Sequence, residues 1–324
     1  MSDKFLFHNA RIKAMESRLL GPQQLARLAE ASSAAEVRKI LGETGFGSSA
    51  TGENLGVDKL VDAEERAALA LLKEFNEGGV LTAFLLEADY LNLKALLKAA
   101  ATGERNPVLG EEGVVSLDDL RAAAEGDVRF IRPFMAEAVR AVEKLAAENR
   151  LTPHGIDCIV DKAMFRDIAA TAKKGGKEIA EYFALKTDCV NITTFLRCKR
   201  WGLSEKLFEE NFVEGGTLGA EFFLEAYEGT EEAFCEKLRY TAFADIAEKA
   251  TEGNGLTALE RAVDEKLVAK WRRNKDDMFS AAPVVAFCLT KTAEARAVKL
   301  IYAGVKNNVD PRLIKERMRD IYGA

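Results

Sequence analysis

With 324 residues, 35.5 kDa and 48% hydrophobic content, the chain is long enough to bury a sizeable core and to form two or three domains. Its 46 basic and 52 acidic residues are mixed along the sequence, with a formal charge of -6, a pI near 5.4 and no basic block. Nucleic acid is therefore excluded as an expected partner, because neutralising phosphates needs a basic stripe. The five cysteines, Cys158, Cys189, Cys198, Cys235 and Cys288, are scattered, odd in number and without C-x-x-C spacing, a pattern of reduced cytoplasmic thiols. Residues 1–18 carry charges throughout and no apolar stretch of signal-peptide type. Nowhere do about eighteen apolar residues run together, so no direct membrane span is expected.

Only 6 prolines interrupt a sequence dominated by Ala, Leu, Glu and Lys, which predicts an all-α fold. In chain order, residues 10–20 place Ile12, Met15 and Leu19 on one helical face, and Gly21-Pro22 ends the run. Further amphipathic stretches cover 63–75, 85–100, 134–147, 156–171, 177–200, 256–272 and 293–302. Glycine-rich breaks separate them at 42–56, 103–113, 175–176, 215–219 and 253–255. The first of these is the longest and most polar, the segment most expected to be a mobile surface loop.

Internal comparison gives a second layer of organisation. The stretch beginning Glu87 and containing Asp89-x-x-Asn92-Leu93 aligns with the stretch beginning Lys186 and containing Asp188-x-x-Asn191-Ile192, at an offset of 99. The same offset relates Asp62 to Asp161, and a weaker third copy places Asp264 and Glu294 in the two acidic positions. Leu41-x-x-Thr44-Gly45-Phe46 resembles Leu238-x-x-Thr241-Ala242-Phe243, with the segment ending Pro133-Phe134 as a degenerate middle member. These matches predict three similar helical bundles: 1–116 with an N-terminal helix, 117–219 and 220–324. Repeats of about 100 residues are of single-domain size and too long for a tetratricopeptide or HEAT array. A ring or funnel suits them better than a solenoid.

Chemistry-bearing patterns are sparse. His8 and His154 stand alone, and no H-E-x-x-H, E-x-x-H or EF-hand spacing appears, so no metal site is predicted. Gly45-Phe-Gly47-Ser-Ser-Ala50 fits G-x-G-x-x-A only superficially, because 36–44 reads as helix where a dinucleotide fingerprint needs a strand. The segment 173–178 has the glycines and lysines of a phosphate loop but not its spacing or its Ser/Thr, and reads as a turn between helices. Asp118-Asp119 and Asp276-Asp277 lack the third Asp of a magnesium-binding cluster and read as helix-start and surface residues. No G-x-S-x-G is present. No catalytic, cofactor-binding or metal-ligating residue is therefore assigned. The repeat-equivalent polar positions Asp62, Asp161, Asp264, Asp89, Asn92, Asp188, Asn191 and Glu294 remain, with two readings. They hold helix ends within their own units, or three acids line a common axis.

The opening Ala10-Arg11-x-x-Ala14-Met15-Glu16-x-x-Leu19-Leu20, the twin Asp-x-x-Asn helices, Glu294-x-Arg296 and the terminal Met318-Arg-Asp-Ile-Tyr322 resemble the C subunit of the V/A-type ATPases, related to the eukaryotic V-ATPase d subunit. The resemblance spans nearly the whole chain, with Ala297 where a third Asn is expected. It implies three helical bundles in a pseudo-threefold funnel without nucleotide or catalytic residues. It also implies a rotor position, in one copy, between central-stalk subunits resembling D and F and the membrane proteolipid ring. The chain would transmit torque for ion translocation from the cytoplasmic side as a peripheral component. Segments 103–116, 202–217 and 304–311 are then expected on one partner-facing rim. Two other readings stay open on the sequence: a generic helical scaffold or adaptor, and an all-α enzyme built on Asp89, Asp188 and Glu294.

Overall fold

In the computed structural model, residues 3–50, 55–251 and 255–318 are described. Residues 51–54 of the first polar loop, 253–254 of the last glycine break and 319–322 of the terminal motif lie outside them. The described residues are all-helical, with no strand. After α1 (Asp3–Glu16) come two short helices, α2 (Pro22–Ala29) and α3 (Ala34–Thr44), and two long ones, α4 (Val57–Glu74) and α5 (Thr82–Thr102). The succession recurs with α6 (Leu117–Ala124), α7 (Pro133–Ala147), α8 (Pro153–Gly175) and α9 (Lys177–Arg200). Four short helices follow: α10 (Glu205–Asn211), α11 (Ala220–Leu224), α12 (Glu231–Arg239) and α13 (Ala244–Thr251). The long α14 (Gly255–Arg272) and α15 (Ala282–Lys306) and the short α16 (Pro311–Arg317) complete the chain.

Local chemistry sets the helix starts. Ser33, Ser116, Thr152, Ser204 and Thr230 each accept a hydrogen bond from a backbone N–H in the first turn, offsetting donors that no preceding carbonyl can reach. Pro22, Pro133, Pro153, Pro283 and Pro311 all sit in first turns, where a missing N–H costs nothing. The proline content thus marks helix starts rather than breaks.

Helix bounds differ from expectation at several ends, with α1 beginning at Asp3 and α8 running from Pro153 to Gly175. The first helix stops at Glu16, short of Gly21-Pro22, because Arg18 and Leu19 N–H groups bond three residues back and the Ser17 hydroxyl bonds the Ala14 carbonyl. That leaves Leu19 outside the helix, whereas Ile12 is fully buried. α4 begins six residues before its predicted start and α15 eleven before. The early part of α15, 282–288, is buried on all sides, so it carries no amphipathic period to read. The match at an offset of 197 extends to hydrogen bonds. Thr44 Oγ1 donates to the Leu41 carbonyl (2.8 Å) and accepts from Phe46 N–H, and Thr241 Oγ1 does the same with Leu238 (2.6 Å) and Phe243.

The chain divides into two compact units, 1–77 with 257–324 and 78–256. In the first unit α15 packs along α4, and the core joins Leu25, Leu28, Val37 and Leu41 to Val298 and Ile301. Glu64 on α4 ties it further: Oε1 accepts from the Gly47 N–H at 2.7 Å and Oε2 pairs with Lys291 of α15. In the second unit α5 packs along α8 and α8 along α9. Asp167, nearly fully buried on α8, accepts from Arg132 Nε (2.7 Å) and Nη2 (2.6 Å) and from the Tyr90 hydroxyl (3.0 Å). This bidentate contact raises the Arg132 pKa further and keeps its charge opposite Asp167, while burial, reinforced by Asp167, raises that of Tyr90.

Candidate functional site

The repeated Asp-x-x-Asn builds the same device twice in the second unit. On α5, Asp89 and Asn92 lie about one turn apart on one face. The Asp89 carboxylate accepts from the backbone N–H groups of Gly113 (2.6 Å), Val114 (2.7 Å) and Val115 (3.2 Å). The Asn92 amide accepts from Gly110 N–H (2.7 Å) and donates to the Glu111 carbonyl (3.0 Å). The loop between α5 and α6 is thus held along its second half. On α9, Asp188 accepts from Thr217 N–H (2.9 Å), Thr217 Oγ1 (2.6 Å) and Leu218 N–H (2.9 Å). Asn191 makes a reciprocal pair with Val213, accepting at 3.0 Å and donating at 2.8 Å. Asp89 and Asp188 are both 0% exposed, and each accepts from several N–H or O–H donors, which offsets the cost of burying a carboxylate.

Two glycines make the close approach possible. A Cβ on Gly113 would sit 2.2 Å from the Leu85 carbonyl and 2.6 Å from Asp89 Oδ2, and one on Gly216 would sit 2.1 Å from Asp188 Oδ1. Neither glycine has a positive φ; space is what each supplies. The glycine content marks both stretches as loop breaks, and the structure adds that the chain touches a carboxylate there. The available signal was a glycine following each Asp-x-x-Asn, at spacings of 24 and 28 residues from the Asp.

The remaining repeat-equivalent positions are placed differently. Asp161 on α8 pairs with Lys94 at 2.5 Å. Asp62, its counterpart on α4, is exposed beside an open hollow also lined by Lys59 and Arg66. Asp264 is half-buried on α14, and Glu294 is buried on α15 in the other compact unit. Asp89 and Asp188 are each held by their own loop. His8 stacks on Phe75 at 4.2 Å and meets Glu77 at 3.1 Å. His154 lies 3.4 Å from Cys158, whose thiol pKa burial pushes up, the reverse of a reactive thiolate. No group of three or more His, Cys, Asp or Glu able to hold a metal occurs among the described residues. Lys177 directly follows Gly176, which joins α8 to α9 as a tight helix-to-helix link. The segment at Gly45 follows helix α3, the wrong context for a dinucleotide fingerprint.

The two clamped loops emerge at the same end of the second unit. Lys94 pairs with Asp161 and Lys98 with Asp157, so α5 runs antiparallel to α8. α9 turns back from α8 through one residue and meets the first part of α5, with Lys186 on Glu87 at 2.5 Å and Phe84 against Phe183 at 4.8 Å. α5 and α9 are therefore parallel, and both C-termini point the same way. The loops they release carry Val108, 93% exposed, and Val114, with Trp201, 63% exposed, at the end of α9. Among the described residues no helix is long and apolar enough to cross a membrane.

A family model for the ATP synthase (C/AC39) subunit matches residues 8–317. The chain is 25% identical to the C subunit of the V-type sodium ATPase of Enterococcus hirae, over 82% of this chain and 84% of that one. It is 24% identical to the C subunit of the A-type ATP synthase of Pyrococcus abyssi, over 98% and 90%. To the C subunit of the V-type ATP synthase of Thermus thermophilus it is 26% identical, over 93% and 94%. The match runs in order from α1 through α16, and the chain belongs to the ATP synthase (C/AC39) subunit family.

Proposed function

We propose that the chain is the non-catalytic coupling subunit of a V/A-type rotary ATPase, joining the central stalk to the membrane proteolipid ring and transmitting torque for ion translocation. The observation that carries this reading is the family match over residues 8–317. In this reading three helical units, divided near 116 and 219, form a pseudo-threefold funnel present in one copy on the rotor axis. It sits at the cytoplasmic face of the membrane as a peripheral component. The loops at 103–116, 202–217 and 304–311 face a partner, and the repeat-equivalent polar residues shape those loops.

Torque transmission asks for stiffness and complementary surfaces rather than perturbed acids and bases. The clamps at Asp89 and Asp188 support the reading because they remove freedom from loops that would otherwise yield under load. Affinity capture of the tagged chain from gently solubilised membranes of its source, followed by mass spectrometry, tests it. Stalk and proteolipid subunits recovered together support coupling, and recovery of neither rejects it.

A further inference from the structure

Where the first turns of α8 meet the end of α10, three donor atoms converge that neither clamp uses. His154 and Cys158 lie four residues apart on α8, on one face of the helix. His154 Nε2 is 3.4 Å from the Cys158 sulfur. From the facing helix comes Asn211, the last residue of α10, whose Oδ1 is 3.7 Å from the same sulfur. The Asn211 amide nitrogen donates to the Leu207 carbonyl at 2.7 Å, which turns its oxygen toward Cys158.

These separations match a coordination shell. A zinc ion about 2.3 Å from a thiolate and about 2.0–2.1 Å from an imidazole nitrogen, at a tetrahedral angle, holds sulfur and nitrogen about 3.5 Å apart. With an oxygen ligand the corresponding separation is about 3.6 Å. The thiol has one proton for its two neighbours, whereas a cation replacing that proton engages all three atoms at once. The way in is open, since His154 is exposed and Cys158 is half-buried. Charge around the cluster is close to balance. Asp157 and Asp161 are held by Lys98 and Lys94, Glu210 is exposed, Lys162 donates to the Glu209 carbonyl, and the α8 N-terminus adds partial positive charge. Donor type, a thiolate and an imidazole with one neutral oxygen, is therefore what selects the ion.

The geometry points to a zinc-type divalent cation site formed by Cys158, His154 and Asn211, with water as the fourth ligand, that ties α10 to α8. On binding, bonds from the metal to sulfur, nitrogen and oxygen form and the thiol proton passes to solvent. Val213, two residues past Asn211, is already held by Asn191, so the ion adds a second tie at the start of the same loop. The site lies wholly within this chain and stands or falls apart from the coupling reading.

The test uses the purified full chain, stripped with a chelator and titrated with Zn²⁺ by calorimetry and with Co²⁺ by absorption, where a thiolate ligand gives a near-ultraviolet charge-transfer band. The expected result is one ion per chain, with the cobalt band present in wild type and lost in Cys158→Ser. His154→Ala and Cys158→Ser should each weaken Zn²⁺ binding at least about tenfold. Asn211→Ala should weaken it about threefold, a neutral oxygen being the poorest of the three donors for zinc. Matching melts of the metal-free proteins establish that the variants are folded. In the wild type, Zn²⁺ should also slow alkylation of Cys158 at least about tenfold, a readout that needs no variant and that the four buried thiols do not obscure. Absence of the cobalt band, unprotected alkylation, or Zn²⁺ binding that His154→Ala leaves unchanged overturns the site and marks any uptake as an adventitious ion only.

Discussion

The clamp on α5 and the clamp on α9 use the same residues at the same helical spacing, yet they hold loops of different length. Asp89 reaches Gly113, 24 residues on, with three backbone N–H groups as donors. Asp188 reaches Thr217, 29 residues on, and takes a hydroxyl as well as two N–H groups. Asn92 engages the exposed Gly110, whereas Asn191 engages the buried Val213. Because the ligands are mostly backbone amides, the loop sequence is free to change while the grip persists. Each loop needs only a glycine where the chain passes the carboxylate.

Removing the carboxylates tests that comparison most severely. Asp89→Ala strands three donors, two of them on the buried Gly113 and Val115, and is expected to cost about 4 kcal/mol. Asp188→Ala is expected to cost about 2–3 kcal/mol, because Thr217 is exposed and water replaces part of the interaction. Urea-denaturation midpoints measure both. Equal losses would show that the two clamps are energetically one device despite their different donors.

The glycines come next. Gly113→Ala and Gly216→Ala force a methyl into the Asp89 and Asp188 carboxylates and should each cost about 2–3 kcal/mol. Gly110→Ala, whose Cβ would lie an ordinary 3.6 Å from Asn92 Oδ1, should change stability by less than about 0.5 kcal/mol. Thermal unfolding of the three variants reads this directly, and a harmless Gly113→Ala would mean that the loop does not pass as close as described.

The asparagines should show smaller effects than the carboxylates, and in the reversed order. Asn191→Ala leaves a buried N–H and carbonyl of Val213 unpaired and should cost about 2 kcal/mol, against about 1 kcal/mol for Asn92→Ala at the exposed Gly110. Amide hydrogen exchange at Val213 and Gly110 in the two variants would locate the loosening. If Asn92→Ala were the costlier, burial would not be what ranks the two sites.

Much of this was readable in advance. Lys177–Arg200 coincides with its predicted span because amphipathic spacing, the glycines before it and Trp201-Gly202 after it agree. The Asp-x-x-Asn identity at an offset of 99 pointed to the residues of both clamps, and the match at 197 pointed to the Thr44 and Thr241 turns. What the clamps hold was not readable, since a buried acid and its donors are 24 to 30 residues apart and all the donors but the Thr217 hydroxyl are main-chain groups without a side-chain signature. The short helices α10 to α13 were likewise missed, being too brief for a 3.6-residue period to accumulate.

The sequence by itself determined the helical class, the presence of most long helices and the repeated polar positions, because helix periodicity and internal identity are local properties of the chain. Only the tertiary structure decided which long helices are partners. α5 packs along α8 and α15 along α4, so the broadest packing joins helices that are not neighbours in the sequence. Apolar faces such as those of Val61 and Val298 look alike to any partner. Connection lengths and contacts such as Glu64 with Lys291 and Lys94 with Asp161 select among the possible pairings, and both become visible only once the chain has folded back on itself.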